Sequence, residues 1–177
     1  TVHCGGKGLN QSVAAARAGA AVLHAGAVGK DGEPLLQLLQ DSGVDTHLIR
    51  VLDAPTGHAV IQLTPKGENA IVILGGANQL LPAELSEALL AEAREGDILL
   101  LQNECSGLAE LLPAAYAKKL RVFLNPAPMS ESVRSLPLDG LSCLTVNESE
   151  AEALAPGGLD ALCRAYPHAA ILFTQGS

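Results

Sequence analysis

The residues best suited to chemistry lie near the N-terminus, where residues 5–11 read Gly-Gly-Lys-Gly-Leu-Asn-Gln. Glycines such as Gly6 and Gly8 let backbone N–H groups approach a ligand closely, and a helix predicted over 12–18 would direct its positive end toward the same place. Lys7 adds a mobile charge, and Asn10 offers a paired donor and acceptor for vicinal hydroxyls. The alternative interpretation is a helix N-terminus preceded by a flexible turn. The spacing matches neither the P-loop pattern nor the dinucleotide-binding fingerprint.

Polar side chains also follow four apolar segments that we predict to be strands. The first segment runs into Gln-Asn-Glu at 102–104, and the later ones run into Asn125, Asn147 and Thr174. In open α/β sheets, ligands bind at the carboxyl ends of the strands, so four such endings indicate a site. The competing explanation is that loops are polar and that such residues cap helices. Glu104 is then either a helix-capping surface group or an acceptor for paired sugar hydroxyls.

Asn147 and Glu150 have the spacing of a helix capping box, in which each side chain binds the backbone N–H of the other residue. This explanation is physically complete without any ligand. It predicts a helix over 148–154 that begins directly after the strand.

The elements that must position these residues alternate regularly from Gly96 onward. Near-continuously apolar strands that alternate with helices are typical of a parallel sheet covered on both faces. The strands are predicted over 97–101, 121–124, 141–146 and 169–173, and the main helices over 107–119, 148–154 and 158–166.

The N-terminal half is less regular. A strand is predicted over 21–27, and we expect His24 within it to be a satisfied core or sheet-face histidine rather than a ligand. Helices are predicted over 34–42, with Asp31 as the capping residue, and over 82–94. Two short strands over 57–63 and 70–74 flank a loop that contains glycine, which predicts a hairpin. Such a hairpin is out of step with a plain doubly wound sheet and indicates an appendage.

Composition excludes several classes of function. The 177 residues are 48% hydrophobic and carry 11 basic against 19 acidic side chains, a net charge of −8, which argues against nucleic acid or an anionic membrane as partner. No apolar run reaches the length of a membrane span, and residue 1 does not begin a signal peptide. The four cysteines show neither metal-ligand nor disulfide-dense spacing, so we expect reduced thiols in a cytoplasmic protein.

The Gly-Gly-Lys-Gly-Leu-Asn-Gln stretch and the Ala-rich helix after it resemble the sugar-hydroxyl-binding signature of the ribokinase family, the PfkB group of carbohydrate kinases. The Asn-x-x-Glu spacing at Asn147 and Glu150, the Asn-Pro-Ala-Pro run from Asn125 and the closing Thr-Gln-Gly-Ser carry the same resemblance. It implies a sandwich with a mostly parallel central sheet covered by helices. Residues 1–177 would form one partial domain of that fold, with the hairpin at 57–74 inserted as a small β lid over the sugar.

The resemblance also implies ATP-dependent phosphorylation of a sugar hydroxyl, with a ribose-like sugar as the expected substrate. It assigns Glu150 to hydrated Mg²⁺, an ion that keeps its waters and takes few carboxylates, and it allows a monovalent cation. An exposed apolar face of the lid would favour a homodimer. The residues expected to bind sugar are Gly6, Lys7, Gly8, Asn10 and Glu104, and those expected to bind nucleotide are Asn147, Thr174, Gly176 and Ser177.

Two parts of the family pattern are missing from these 177 residues. The Gly-Ala-Gly-Asp stretch, which supplies the catalytic aspartate and an anion hole, does not occur, and neither does the Asn-x-Asp sugar-binding turn. A general base contributes about 10²–10⁴-fold, so we expect a polypeptide ending at Ser177 to be inactive by itself. The chain then has the character of a fragment, and the kinase function belongs to the parent protein.

Three alternatives stay open at the level of sequence. Another sugar or nucleoside kinase of the same family fits the same motifs. A non-catalytic sugar- or nucleotide-binding module could keep the fold and lose the chemistry. An α/β dehydrogenase is the weakest option, because no strand–GxGxxG–helix unit supports it.

Overall fold

The computed structural model describes residues 2–63 and 69–175 of the chain. The chain folds into two compact units, residues 1–85 and 86–177. The helices are α1 (Lys7–Arg17), α2 (Glu33–Asp41), α3 (Ala83–Glu92), α4 (Leu108–Ala117), α5 (Glu148–Leu154) and α6 (Gly158–Ala165). The strands are β1 (Gly26–Val28), β2 (Ile49–Val51), β3 (His58–Leu63), β4 (Asn69–Leu74), β5 (Ile98–Gln102), β6 (Arg121–Asn125), β7 (Cys143–Asn147) and β8 (Ala170–Thr174).

The first unit contains two separate pairs of strands. β1 and β2 pair in parallel, and β3 and β4 form an antiparallel hairpin in which His58 is opposite Leu74 and Ile61 is opposite Ile71. The predicted hairpin strands over 57–63 and 70–74 are therefore confirmed, while the loop between them at 64–68 lies outside the described residues.

A small core holds α1 and α2 together. Leu9 of α1, Leu39 of α2 and Val44 after α2 are buried against one another. Leu38 and Leu35 of the same α2 stripe pack on this cluster and are partly buried. The apolar spacing of α2 thus explains both the helix and the face that it buries.

Three sequence predictions in this unit are corrected by the structure. α1 begins at Lys7 rather than at residue 12, because burial of Leu9 in the core favours helix despite the poor helix propensity of Gly8. Asp31 does not cap α2; the N-cap is Gly32, since the Asp31 carboxylate accepts hydrogen bonds from the backbone N–H and hydroxyl of Thr56 at 3.0 and 2.6 Å.

The third correction concerns the strand predicted over 21–27. Strand β1 is shorter and begins at Gly26, and Leu23 makes only a single bridge to Asp45. His24 is half-buried, and its Nδ1 lies 2.7 Å from the Ser12 hydroxyl. Burial lowers the pKa of the His24 imidazole below its ordinary value. The expectation of a satisfied, packed histidine is confirmed.

The second unit is built on a four-stranded parallel sheet in the order β5-β6-β7-β8. One face of this sheet carries the largest core of the described residues, with Val122, Leu124, Leu144 and Val146 at no more than 1% exposure. The opposite face leaves apolar side chains of β5 and β8 exposed, among them Leu100. The parallel sheet predicted from Gly96 onward is confirmed, but within the described residues its expected cover on both faces is not found over the exposed side chains of β5 and β8, and β6 is joined to β7 by short 3-10 turns in place of a helix.

Within 2–63 and 69–175, no helix has the length and apolar character required to cross a lipid bilayer.

Candidate functional site

The N-terminus of α1 positions the glycine–lysine group. Gly6 is the N-cap, with φ of 114° and ψ of 147°, a backbone conformation that side-chain-bearing residues rarely adopt. A Cβ added at Gly6 would meet no atom within 4 Å. Glycine is therefore required here by the backbone dihedral angle and not by a lack of space.

Lys7, Gly8 and Asn10 occupy the first, second and fourth positions of α1. The backbone N–H of Asn10 donates to the Gly6 carbonyl at 2.9 Å. The positive end of the helix macrodipole and the half-buried Lys7 give the helix N-terminus a positive character, which suits anions and hydroxyl oxygens. The exposed Asn10 lines an open groove with Val13, Arg17 and Leu38.

The predicted polar strand ends share one edge of the second unit's sheet. Gln102 at the end of β5 is in register with Asn125 at the end of β6. Asn147 at the end of β7 is likewise in register with Thr174 at the end of β8. Because all four strands are parallel, their carboxyl ends meet at one edge, as ligand sites in α/β sheets require.

Glu104 lies in the turn directly after β5 and is half-buried. Its neighbour Cys105 is also half-buried, and burial together with the negative charge of Glu104 raises the pKa of the Cys105 thiol to about 11. The thiol therefore stays protonated at neutral pH and is a poor nucleophile. Glu104 is the residue of this turn that offers a negatively charged acceptor.

Asn147 and Glu150 form the predicted capping box at the start of α5. The Asn147 side-chain oxygen accepts from the backbone N–H of Glu150 at 2.9 Å, and a Glu150 carboxylate oxygen accepts from the backbone N–H of Asn147 at 2.9 Å. The capping explanation is thus confirmed. The box also holds both side chains at the carboxyl edge of the sheet.

Thr174 is exposed at the same edge, and its hydroxyl donates to the Val146 carbonyl at 3.3 Å. This contact fixes the end of β8 against β7. Gly176 and Ser177, the other two residues expected to bind nucleotide, lie outside the described residues.

Few side chains of the described residues are arranged to bind a metal ion. The part of the chain that the structure describes contains no group of three or more His, Cys, Asp or Glu side chains arranged to hold an ion. Glu150 uses Oε2 for the capping box. A hydrated ion held by few carboxylates is the kind of metal that this arrangement can accommodate.

The sequence-predicted residues divide between the two units. Gly6, Lys7, Gly8 and Asn10 lie together at the start of α1 in the first unit. Glu104, Asn147, Glu150 and Thr174 lie along the carboxyl edge of the sheet in the second.

The family model for pfkB family carbohydrate kinases matches residues 1–176. The chain belongs to this family. The match includes both the glycine–lysine group of α1 and the capping box of α5, so the pfkB family pattern extends over both units.

Curated relatives point in the same direction. A ribokinase from Haemophilus influenzae is 39% identical over 158 residues, which make up 85% of this chain and 50% of that protein. A ribokinase from Bacillus subtilis is 36% identical over 157 residues, or 86% of this chain and 53% of that protein. The chain spans about half the length of these pfkB relatives.

Solved structures share the fold. A ribokinase from Cryptococcus neoformans in complex with ADP has a TM-score of 0.79 and 35% identity, covering 97% of this chain and 61% of that chain. Arabidopsis thaliana ribokinase, complexed with ribose and ATP, has a TM-score of 0.79 and 28% identity, covering 98% and 61%. The α/β architecture with a mostly parallel sheet is therefore the pfkB family fold.

Two long-range contacts of polar side chains have no signal in the sequence. Asn103, one residue before Glu104, binds the loop after β6, and Asp31 binds Thr56 immediately before the hairpin. Both contacts join residues 25 positions apart. In the sequence, Asn103 is only one of several polar residues after a predicted strand, and the residues around it do not indicate its hydrogen-bond partner.

Proposed function

We propose that the protein carrying this sequence phosphorylates a sugar hydroxyl with ATP, and that its sugar is D-ribose, which it converts to ribose 5-phosphate. The observation that carries this proposal is the edge of the parallel sheet, where four consecutive strands each end in a hydrogen-bonding residue. The relatives named ribokinase, at 39% and 36% identity, favour ribose over other sugars.

On the sugar side, the proposal gives Gly6, Lys7, Gly8 and Asn10 the task of binding hydroxyls through backbone N–H groups, a charged amine and an amide. Glu104 accepts from a pair of hydroxyls. Neighbouring donors and acceptors of this kind distinguish sugars by the hydroxyls that they satisfy, because an unsatisfied buried polar group costs about 1–3 kcal/mol.

On the nucleotide side, Asn147 and Thr174 contact the phosphates together with Gly176 and Ser177. Asn147 and Thr174 end adjacent parallel strands in register. Their common location at the carboxyl edge supports this assignment.

Mg²⁺ fits the donor set at Glu150. Oε2 of this carboxylate is occupied by the backbone N–H of Asn147, which leaves Oε1 for an ion or its water. Mg²⁺ is usually bound through one or two carboxylates, several waters and substrate phosphates. When bound, the ion would neutralise charge that develops on the transferred phosphoryl group. We assign no residue of this chain to a monovalent cation.

The general base is not among these residues, since the Gly-Ala-Gly-Asp stretch of the family does not occur in the 177 residues. The proposal therefore concerns the protein that carries this sequence. We expect the 177-residue chain by itself to be inactive.

Titration combined with a turnover assay tests the proposal against its alternatives. Ribose, 2-deoxyribose, fructose and a nucleoside are titrated into the protein, and ADP release is followed with each of them. We expect ribose to bind saturably and to give the fastest ADP release. Saturable binding without turnover would instead identify a non-catalytic module, and preference for another acceptor would identify a different kinase of the family.

As a further part of the proposal, the hairpin of β3 and β4 forms a homodimer contact. Ile61, Ile71 and Ile73 lie on one face of the hairpin, and each is more than half exposed. Apolar patches of this kind mark interaction sites. Sedimentation should show a dimer that the double substitution of Ile61 and Ile73 by Lys dissociates, and an unchanged sedimentation coefficient would exclude this contact.

A further inference from the structure

Two loops at the carboxyl edge of the four-stranded sheet are joined through a single side chain. The Nδ2 atom of Asn103 donates to the Pro128 carbonyl at 2.6 Å and to the Ser130 hydroxyl at 3.1 Å. Its backbone N–H donates to the Ala127 carbonyl at 3.2 Å. Because a carbonyl oxygen can only accept, the amide nitrogen must be the atom that faces Pro128. We call this set of contacts the loop junction.

The receiving loop is itself held in place. The side-chain oxygen of Asn125 accepts from the Ala127 backbone N–H at 3.0 Å, and Pro126 is fully buried. Ser130 makes a further hydroxyl contact with Ser132 at 2.8 Å. Asn103 therefore binds a loop whose position is set by β6 and the core, and not a free segment.

The loop junction lies immediately before Glu104. Gln102 is still paired with β6, so only Asn103 separates the sheet from Glu104 along the chain. Fixing the backbone and the side chain of Asn103 limits the directions in which the next residue can project. Without the junction, the turn after β5 would lose three hydrogen bonds to the neighbouring loop.

We propose that Asn103 is a positioning residue, which holds the Glu104 carboxylate in the orientation that sugar binding requires by fastening its loop to residues 126–130. The proposal rests on the proposed function, because it takes Glu104 as a sugar ligand. Asn103 does not contact the sugar itself. Its effect passes through the backbone of the turn.

Four variants separate this role from a general effect on stability. Asn103→Ala removes both side-chain hydrogen bonds, and Asn103→Asp keeps the shape but replaces the donor by an acceptor. Ser130→Ala removes only one of the two bonds. Ser135→Ala is the matched control, because the exposed Ser135 hydroxyl follows the same loop and donates to the Ser132 carbonyl, not to a member of the loop junction.

Hydrogen exchange measured by mass spectrometry reports on the loops, and titration of the protein reports on ribose and ATP affinity. We expect Asn103→Ala and Asn103→Asp to speed exchange in peptides covering 103–107 and 126–130. Both should weaken ribose binding about tenfold and leave ATP binding unchanged, since the loss is equivalent to roughly one hydrogen bond. Ser130→Ala should show a smaller effect, and Ser135→Ala should match the unaltered protein.

Two results would overturn the positioning role. Unchanged exchange and ribose affinity in both Asn103 variants would show that the junction positions nothing. Equal losses for ribose and ATP with a lowered Tm would show a purely structural contact. If the unaltered protein binds no ribose, the proposed function fails and the sugar role of Asn103 fails with it, and exchange still decides whether the two loops are joined.

Discussion

At the scale of single residues, Asn10 is a position where a substitution can test ligand binding without lowering the stability of the fold. It is exposed on α1, and its side chain makes no hydrogen bond with the residues that the structure describes. Alanine is the better helix former at such a position. Removal of the amide should therefore leave the fold intact and affect only what the amide binds.

We predict that Asn10→Ala weakens ribose binding about tenfold, the loss of roughly one to two hydrogen bonds, and leaves ATP affinity unchanged. Calorimetric titration of each ligand measures both values. Gln37→Ala is the matched control, because Gln37 is an exposed helical amide on α2 that binds only Asp41 within the described residues. Equal losses for sugar and nucleotide would contradict the assignment of Asn10.

His24 makes the stability of the chain depend on pH. Burial lowers the pKa of its imidazole below the ordinary value of 6.5. At pH values between the folded-state pKa of His24 and 6.5, the folded protein binds fewer protons than the unfolded chain. The contribution of the neutral His24 imidazole to the free energy of unfolding is therefore present above pH 6.5. It is lost as the pH falls through the folded-state pKa of His24.

As the pH falls from about 8 to about 5.5, the free energy of unfolding should decrease. We predict that this decrease is smaller in His24→Gln than in the unaltered protein. Urea unfolding of both proteins at the two pH values measures it. His168→Gln, at an exposed position, is the control and should retain the full dependence of the unaltered chain. An identical pH dependence in His24→Gln would show that this side chain does not titrate with folding.

At the scale of elements, the capping box of α5 combines a structural and a proposed binding task in one residue. Asn147 satisfies the backbone N–H of Glu150 and is the last residue of β7. A cap of this kind contributes about 1 kcal/mol. The nucleotide contact proposed for Asn147 would use the amide of the same side chain.

These two tasks can be separated by substitution. We predict that Asn147→Ala lowers the free energy of unfolding by about 1 kcal/mol, whereas Asn147→Ser retains most of it because serine also caps well. Both variants should weaken ATP binding, and neither should change ribose affinity. Chemical unfolding and nucleotide titration measure the two effects. Unaltered ATP affinity in both would leave Asn147 with the capping role alone.

The elements also show what the sequence could predict. Strands β5 to β8 and the capping box were predictable, because their apolar runs and the spacing of Asn147 and Glu150 are local patterns. The start of α1 could not be predicted in this way, because it depends on the packing of Leu9 against Leu39 and Val44, which are distant in the sequence.

Contacts between distant residues account for the rest of the difference. Asp31 had the right type and location for a cap, but it binds Thr56 instead. A Cβ at Gly29 would overlap the Ala54 carbonyl, so this part of the chain packs closely against residues that precede the hairpin. Neither contact leaves a pattern in the sequence around it. The loop junction of Asn103 escaped prediction for the same reason.

At the scale of the whole molecule, the second unit has a sheet whose two faces differ. One face carries the core, and the other exposes Ile98, Leu100 and Leu172 at 53%, 43% and 57%. Strands of parallel sheets are usually buried on both faces, and this sheet departs from that pattern.

The chain matches about half the length of its curated relatives. The proposed activity therefore concerns the protein that carries this sequence.

The central claim is that this protein transfers the γ-phosphoryl group of ATP to a hydroxyl of ribose. Phosphorus NMR of the protein with ATP, Mg²⁺ and D-ribose observes that transfer directly. We predict a phosphomonoester resonance of ribose 5-phosphate that grows in step with ADP and is absent without ribose. ADP accompanied only by inorganic phosphate, or no change in the ATP resonances, would contradict the claim.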